Sequence, residues 1–367
     1  RRRHTRYISV TGVQTCALPI LLLPAITSLL AALFALALLD QWRDRRQAFQ
    51  LIWAVGMLCY AVAAGAEAFA AASGWSEPLY KAWYVTGAVC TAGWLGLGTA
   101  YLLARTRFGF GFALCLFFAG LFTFLASRRP EYAGAGLVPM LYFIGAGVLA
   151  LAVATETYFQ NARWPRIAAI GVVGTTVVAL VLVTLVTLPA PGYAVAEGTG
   201  APVAALFPPA LRLLTPFMNV TGAFSLILGA LFSAYVFMPK KRVLGYSLDA
   251  EQDGESFIFQ AVLGIVAIPV NFLASLPGAT KALLRGELNS RVPSTLLIAI
   301  GAFIPTVTDS LNKLGSTELY ELGKLLGVCF LFAGFLVSTE VFHEIRVPFT
   351  GIVLRTRSRH PGATGRP

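Results

Sequence analysis

Residues 167–188 read IAAIGVVGTTVVALVLVTLVTL, a run of 22 residues without a charged side chain. As a helix this run would be about 33 Å long, enough to cross the ~30 Å hydrocarbon core of a bilayer. A helix satisfies its own backbone hydrogen bonds, which lipid cannot do for it. The run therefore predicts a transmembrane helix.

Similar runs recur along the chain. The nine predicted spans cover residues 21–39, 51–72, 79–104, 108–126, 137–159, 167–188, 216–238, 293–311 and 319–342. Hydrophobic residues make up 57% of the chain and charged residues 12%, a balance that a soluble domain of this size would not need and could not bury. We predict an all-α integral membrane protein with about nine transmembrane helices plus one re-entrant or interfacial segment.

The first 20 residues resemble a sequence of different origin from the rest. The sequences RRRHTR at 1–6 and VTGVQTCALPI at 10–20 resemble the translation of a common sequencing adapter, with its variable index at 7–9. We interpret residues 1–20 as an assembly artefact; the alternative is a natural basic leader or signal peptide. Without this segment the net charge falls from +11 to +7, because it carries four arginines and no acids.

The positions of the lysines and arginines predict how the chain is oriented across the membrane. They follow every second span, as Arg43, Arg45 and Arg46, then Arg105 and Arg107, then Arg163 and Arg166, and finally Lys240, Lys241 and Arg242. The positive-inside rule predicts that these connections are cytoplasmic. Arg128 and Arg129 are exceptions. Arginine outnumbers lysine 22 to 6, a bias typical of GC-rich bacterial genomes. We expect a bacterial inner membrane protein, with its N-terminus outside and its C-terminus in the cytoplasm.

The chain divides into two membrane modules. Residues 21–238 form a predicted seven-helix module, 239–256 an acidic cytoplasmic linker, 257–343 a C-terminal membrane module and 344–367 a basic cytoplasmic tail. Pro269 and Asn271 interrupt the apolar run at 257–276. If this run crossed the bilayer, all later cationic segments would lie outside, so we favour a re-entrant or interfacial segment followed by a surface helix at 279–288.

Acids inside spans are functional candidates, because each costs about 2.5–3.5 kcal/mol at the centre of a helix. Four qualify as candidates: Glu67, Glu156, Asp309 and Glu340. In the structural interpretation they are anchors or interhelical hydrogen-bond partners. In the functional interpretation Glu67 and Asp309 share a proton or cation at the outer mouth, and Asn312 and Asn219 complete the site.

Small and aromatic residues predict two packing features. Glycines allow helices to approach closely in lipid, which predicts packing seams at Gly93, Gly96, Gly98, Gly145 and Gly147. Aromatic side chains collect at the membrane–water interface, which predicts an outer belt of Trp75, Tyr80, Trp83 and Tyr84.

Motifs for common enzyme chemistry are missing from the sequence. It has no Walker loop, HExxH or GxSxG pattern, and its cysteines beyond residue 20 lie in apolar runs without CxxC spacing. We therefore predict no catalytic residues, no metal and no cofactor. The lysines and arginines lie in short connections between spans, where they set membrane orientation, so we expect no nucleic acid partner. The expected partners are the lipid bilayer and a cytoplasmic protein bound through 239–256 or 344–367.

Residues 343–352, HEIRVPFTGI, resemble the phosphoacceptor box of sensor histidine kinases. The resemblance implies that His343 accepts phosphate from ATP and that Glu344 assists as a base. It covers ten residues, and the box follows the last apolar run directly. As given, the sequence after His343 is too short for an ATP-binding domain, so this chain alone would not phosphorylate itself.

Three functions remain open at this point. The first is a non-enzymatic sensing or scaffold role, since the bundle lacks a central charged pathway. The second is a small-molecule or cation transporter that uses Glu67 and Asp309, with Pro269 and Pro305 marking broken helices. The third is a truncated sensor histidine kinase.

Overall fold

The computed structural model describes residues 11–159, 161–196, 200–245, 257–285, 287–289, 291–313, 319–337, 344–346 and 353–355. Side chains are described over the same ranges apart from residues 11–20, 257–263, 265, 312–313, 344–346 and 353–355.

The described chain is almost entirely helical. Its helices are α1 (Thr11–Arg45), α2 (Ala48–Ser73), α3 (Glu77–Trp83), α4 (Thr91–Leu102), α5 (Phe108–Ala126), α6 (Val138–Tyr158), α7 (Trp164–Leu185), α8 (Pro209–Arg212), α9 (Leu214–Phe237), α10 (Phe257–Leu284), α11 (Arg291–Lys313) and α12 (Tyr320–Val337). A π-helix, Tyr84–Cys90, joins α3 to α4. Two short strands, β1 (Glu344–Arg346) and β2 (Val353–Arg355), pair in antiparallel fashion.

Ten helical segments within the described residues are long and apolar enough to cross a membrane. Nine of them coincide with the predicted spans, which confirms the all-α membrane fold. The tenth lies in α10, where we expected a re-entrant or interfacial segment and a separate surface helix at 279–288. The structure has instead one helix from Phe257 to Leu284, with Pro269 and Pro277 inside it.

Helix ends collect at two sides of the bundle. Phe108, at the start of α5, has its ring centroid 5.7 Å from that of Phe232 near the end of α9 and 6.5 Å from that of Trp164 at the start of α7. Phe335, near the end of α12, has its ring centroid 4.6 Å from that of Trp53 near the start of α2. This side, which we call the basic end, carries Arg43, Arg45, Arg46, Arg105, Arg107, Arg163, Arg166, Lys240, Lys241 and Arg242.

The opposite side, which we call the loop end, carries the connections at 74–76, 127–137 and 186–208. The guanidinium of Arg212 in α8 donates to the backbone oxygen of Glu131 at 3.1 Å, joining α8 to the connection at 127–137. Arg128 and Arg129 precede Glu131, so the loop end includes the two exceptions to the charge pattern.

Glycine seams hold α4 tightly against its neighbours. A Cβ atom at Gly96 would meet the backbone of Gly222 in α9 at 2.6 Å, and one at Gly98 would meet the ring of Trp53 at 2.3 Å. The predicted seam is therefore confirmed in this span.

The predicted seam at Gly145 and Gly147 is wrong. Added Cβ atoms at these positions would meet nothing within 4 Å. Gly145 lines an open apolar crevice of about 310 Å³ between α6 and α7. Neither glycine therefore marks a close contact between α6 and a neighbouring helix.

Helices α11 and α12 pack directly against the first seven spans. Phe34 of α1 stacks on Phe332 of α12, with ring centroids 4.9 Å apart. Buried side chains of α1, α2, α4, α9, α11 and α12 form one continuous apolar cluster. The acidic linker thus separates the modules in sequence while their helices share a core.

Candidate functional site

A buried ion pair joins the two modules near the loop end. The ammonium nitrogen of Lys324, in the first turns of α12, donates to the Oε2 atom of Glu67 in α2. The two residues are 8% and 7% exposed, respectively. A buried charge is strongly unfavourable unless it is paired, so each of these residues depends on the other.

Each member of the pair has a second polar partner. The indole Nε1 of Trp83 donates to the Oε1 atom of Glu67 at 2.9 Å. The Lys324 ammonium also donates to the Oε1 atom of Glu321 at 2.9 Å, one helical turn before it. We call Glu67, Glu321, Lys324 and the Trp83 indole the polar cluster.

Two tyrosines enclose the polar cluster. The Tyr60 hydroxyl donates to the backbone oxygen of Lys324 at 2.8 Å, and the Lys324 ammonium lies 4.3 Å from the ring centroid of Tyr320. A cation over an aromatic face is attracted by the negative potential of the ring. The Tyr60 bond fixes the start of α12 against α2, and the Tyr320 ring holds the ammonium within α12.

The polar cluster has more acid than base. Two carboxylates face one ammonium, so the cluster carries one excess negative charge when all three groups are ionised. The Oε2 atom of Glu321 is buried and has no hydrogen-bond partner among the described atoms. This arrangement can take up one proton or one small cation without a further protein group.

The π-helix lies next to the polar cluster. It begins at Tyr84, directly after Trp83, and the Thr91 hydroxyl donates to the backbone oxygen of Thr86 five residues earlier at 2.8 Å. An added Cβ at Gly87 would lie 2.8 Å from the Cβ of Ala63 in α2. Such wide turns occur often at functional sites. Here the widened turn packs against the helix that carries Glu67.

An aromatic stack connects the polar cluster to the long connection at 186–208. Phe207 stacks on Tyr80 and Tyr84, with centroid separations of 5.2 and 4.1 Å, and Tyr80 stacks on Trp83 at 5.6 Å. We call Tyr80, Trp83, Tyr84 and Phe207 the aromatic stack. Lys81 anchors the same connection by donating to the backbone oxygen of Val186 at 2.6 Å.

The predicted outer aromatic belt is wrong for three of its four members. Tyr80 and Tyr84 are completely buried, and Trp83 is 7% exposed. The reason is the connection at 186–208, which folds back and covers them with Phe207. The remaining member, Trp75, is half-buried and contacts the edge of Tyr80.

The other predicted site residues are placed as follows. Asp309 on α11 and Asn219 on α9 are half-buried. The Tyr320 hydroxyl lies within electrostatic range of Glu67, Asp309 and Glu321. The side chains of Asn312 and Glu344, and the whole of His343, lie outside the described residues. A shared Glu67–Asp309 site and phosphoacceptor chemistry at His343 therefore stay predictions.

Sequence reasoning missed Lys324 and Glu321. The candidates included no cation, although Lys324 lies five residues inside the predicted span 319–342, and they left out Glu321, two residues inside the same span. An intramembrane lysine is as costly as an acid and equally demands a partner. Pairing the buried cation with a buried acid at the same depth would have nominated Glu67.

Comparisons with known proteins do not assign a function to the chain, so the assignment depends on the geometry of the polar cluster. No family model, curated protein or solved structure matches the chain significantly. Among the described residues, no group of three or more His, Cys, Asp or Glu side chains is arranged to hold a metal ion. The chain is a multi-pass α-helical membrane protein whose buried polar cluster joins its early and late helices.

Proposed function

We propose that this chain is a non-enzymatic sensor of the bacterial inner membrane, with its loop end outside the cell and its basic end in the cytoplasm. The orientation rests on the positive-inside rule, since Arg45, Arg105, Arg166 and Lys240 all belong to the basic end. The sensing role rests on one observation, the unbroken series of contacts from the connection at 186–208 to α12.

The input side of the sensor is the connection at 186–208. Phe207 inserts into the aromatic stack, and the Tyr84 hydroxyl donates to the backbone oxygen of Leu211 at 3.0 Å. Aromatic pairs contribute about 0.5–1.5 kcal/mol each beyond their burial. This energy adds to the burial of Phe207 and to the hydrogen bonds of Lys81 and Tyr84, so an external ligand releases the connection only by binding the released state more tightly.

The relay is the contact between Trp83 and Glu67. Because Trp83 belongs to the aromatic stack and also donates to Glu67, a displaced stack weakens one of the two bonds of that carboxylate. Glu67 then interacts differently with Lys324, at the start of α12. Helix α12 ends at the basic end, so a shift or rotation of it reaches the cytoplasm.

The transporter hypothesis is less well supported. It requires the carboxylate of Glu67 to open toward Asp309 across water, whereas its two oxygens accept from Trp83 and Lys324. Loss of proton-coupled uptake in Asp309→Asn proteoliposomes would favour transport. The kinase hypothesis depends on His343 and stays a prediction.

Removing the Phe207 ring from the aromatic stack should change the environment of α12 at the basic end. We expect Phe207→Ala to change the maleimide labelling rate of Val337→Cys, which is 40% exposed in the native protein, by about fivefold or more, the scale of ordinary allosteric coupling. The measurement uses proteoliposomes and a background in which the native cysteines are replaced by alanine.

Two further variants separate coupling from general damage. Phe224→Ala removes a phenylalanine that is 48% exposed on α9 and should leave the labelling rate unchanged. In a Glu67→Gln/Lys324→Met background the effect of Phe207→Ala should disappear. An unchanged rate in Phe207→Ala, or the same change with and without the ion pair, would refute the proposed relay.

A further inference from the structure

The chain leaves α9 and enters α11 at the same end of the bundle. The guanidinium of Arg291, the first residue of α11, lies 4.3 Å from the ring centroid of Phe237, the last residue of α9. Val292 is buried together with Tyr235 and Met238. Everything between Met238 and Arg291, including α10, therefore starts and finishes at the basic end.

The middle of α10 is also held at the basic end. The Oδ1 atom of Asn271 accepts from the backbone nitrogens of Val243 and Leu244 at 2.8 and 2.9 Å, and its Nδ2 donates to the oxygen of Leu244 at 2.9 Å. The Ser275 hydroxyl accepts from the backbone nitrogen of Lys241 at 2.8 Å. These partners directly follow α9.

The reach of the chain excludes that α10 ends at the loop end. If α10 ended at the loop end, the chain from Leu284 to Arg291 would have to return across the bilayer. Seven fully extended residues span about 25 Å, which is less than the ~30 Å hydrocarbon core. Ala279, near the end of α10, packs against Met238 and Val292 at the basic end. A reversal within α10 is excluded as well, because α10 is one helix.

The two faces of α10 suit a membrane interface. One face is buried against the bundle and contains Ala267, Asn271, Ser275 and Ala279. The other is apolar and exposed, and contains Val266, Val270, Leu273 and Leu276. The exposed face can contact acyl chains, and the bonds of Asn271 and Ser275 hold the helix at the basic end, so both conditions are met when α10 lies along the boundary between headgroups and acyl chains.

Exposed cations lie before this helix and at its end, with the exposed Glu287 and the linker acids at 249–255 near them in sequence. Lys240, Lys241 and Arg242 precede it and Lys281 and Arg285 close it, and all five are exposed. Cations beside an apolar helix face bind anionic headgroups, because the surface potential of an anionic leaflet attracts them.

We propose that α10 lies in the headgroup region of one leaflet without crossing it, and that the five cations around it bind the phosphate groups of anionic lipids. The chain then crosses the membrane nine times. The proposal does not depend on sensing, and it holds whether or not the Phe207 relay operates.

Side-specific labelling tests the placement of α10. An impermeant maleimide is applied to sealed vesicles that carry single cysteines in a background without native cysteines. Gly245→Cys, before α10, and Glu287→Cys, after it, should be labelled from one side, and Ser76→Cys from the other. Labelling of Glu287→Cys from the side of Ser76→Cys would mean that α10 crosses, and would overturn the proposal.

Brominated lipids test the anionic contact. A bimane probe at Leu273→Cys, on the exposed face, is placed in phosphatidylcholine vesicles that contain brominated phosphatidylglycerol or brominated phosphatidylcholine at equal mole fraction. We expect phosphatidylglycerol to be preferred around the probe, and Lys281→Gln/Arg285→Gln to lower that preference about tenfold. The matched pair Arg128→Gln/Arg129→Gln, at the loop end, should leave it unchanged. Equal quenching by both lipids in the native background would overturn the assignment to anionic lipid.

Discussion

Lys324→Met should destabilise the protein by about 3–5 kcal/mol, because it leaves the buried carboxylates of Glu67 and Glu321 without their cation. Methionine keeps most of the apolar volume of the lysine stem, so the loss reports charge and not a cavity. The measurement is equilibrium unfolding in mixed micelles with rising dodecyl sulfate, followed by tryptophan fluorescence.

A double-mutant cycle separates the ion pair from its surroundings. Glu67→Gln/Lys324→Met should be more stable than Lys324→Met alone, because one uncompensated buried charge is removed. Arg129→Met provides the surface control. Arg129 and Glu131 form an exposed pair 3.9 Å apart, so Arg129→Met should lower the free energy of unfolding by at most about 1 kcal/mol. An equal loss of unfolding free energy in Lys324→Met and Arg129→Met would show that the pair of Lys324 with Glu67 is not buried.

Gly222→Ala should be the most damaging single-methyl change in the bundle. The added Cβ would lie 2.0 Å from the backbone oxygen of Ala92 and 2.5 Å from the backbone nitrogen of Gly93. Both obstacles are backbone atoms of α4, so no side chain can rotate away and the two helices must separate. We expect a loss of roughly 3 kcal/mol or more, at the upper end of overpacking effects. The same micelle unfolding assay measures it.

Gly147→Ala is the matched control, since it adds the same methyl group to a helix in which nothing lies within 4 Å. Alanine is favoured over glycine inside a helix by roughly 0.5–1 kcal/mol, so this variant should be unchanged or slightly more stable. If Gly222→Ala were tolerated as well as Gly147→Ala, the close crossing of α4 and α9 would be incorrect.

The sequence was sufficient to predict the helices because lipid removes the alternatives. In hydrocarbon, a run such as 167–188 satisfies its backbone hydrogen bonds by forming a helix, so its secondary structure follows from local composition alone. The close seam at Gly96 was predictable for a similar reason, since small residues in membrane helices mainly allow neighbouring helices to approach closely. The open glycine at Gly147 shows the limit of that rule, because whether a neighbour fills the space depends on the tertiary arrangement.

The contacts that build the site could not be predicted in this way. Glu67 and Lys324 are 257 positions apart, and hydrophobic periodicity carries no information about which helices become neighbours. The burial of Tyr80 and Tyr84 depends on Phe207, which lies in a stretch rich in proline, glycine and alanine without periodicity. Helix α10 was ambiguous because composition cannot distinguish crossing a bilayer from lying along its surface.

Exchanging the charges of the ion pair is the most direct test of the link between the modules. Glu67→Lys and Lys324→Glu should each unfold at markedly lower detergent concentration, since each places like charges together in a buried site. The double variant Glu67→Lys/Lys324→Glu again places one ammonium opposite a carboxylate between α2 and α12, but it loses the bonds that Trp83 and Glu321 make in the native cluster and puts two carboxylates one turn apart on α12. It should therefore unfold at a higher detergent concentration than either single variant, though below the native protein. A double variant no more stable than the weaker single variant would contradict the direct pairing of Glu67 with Lys324.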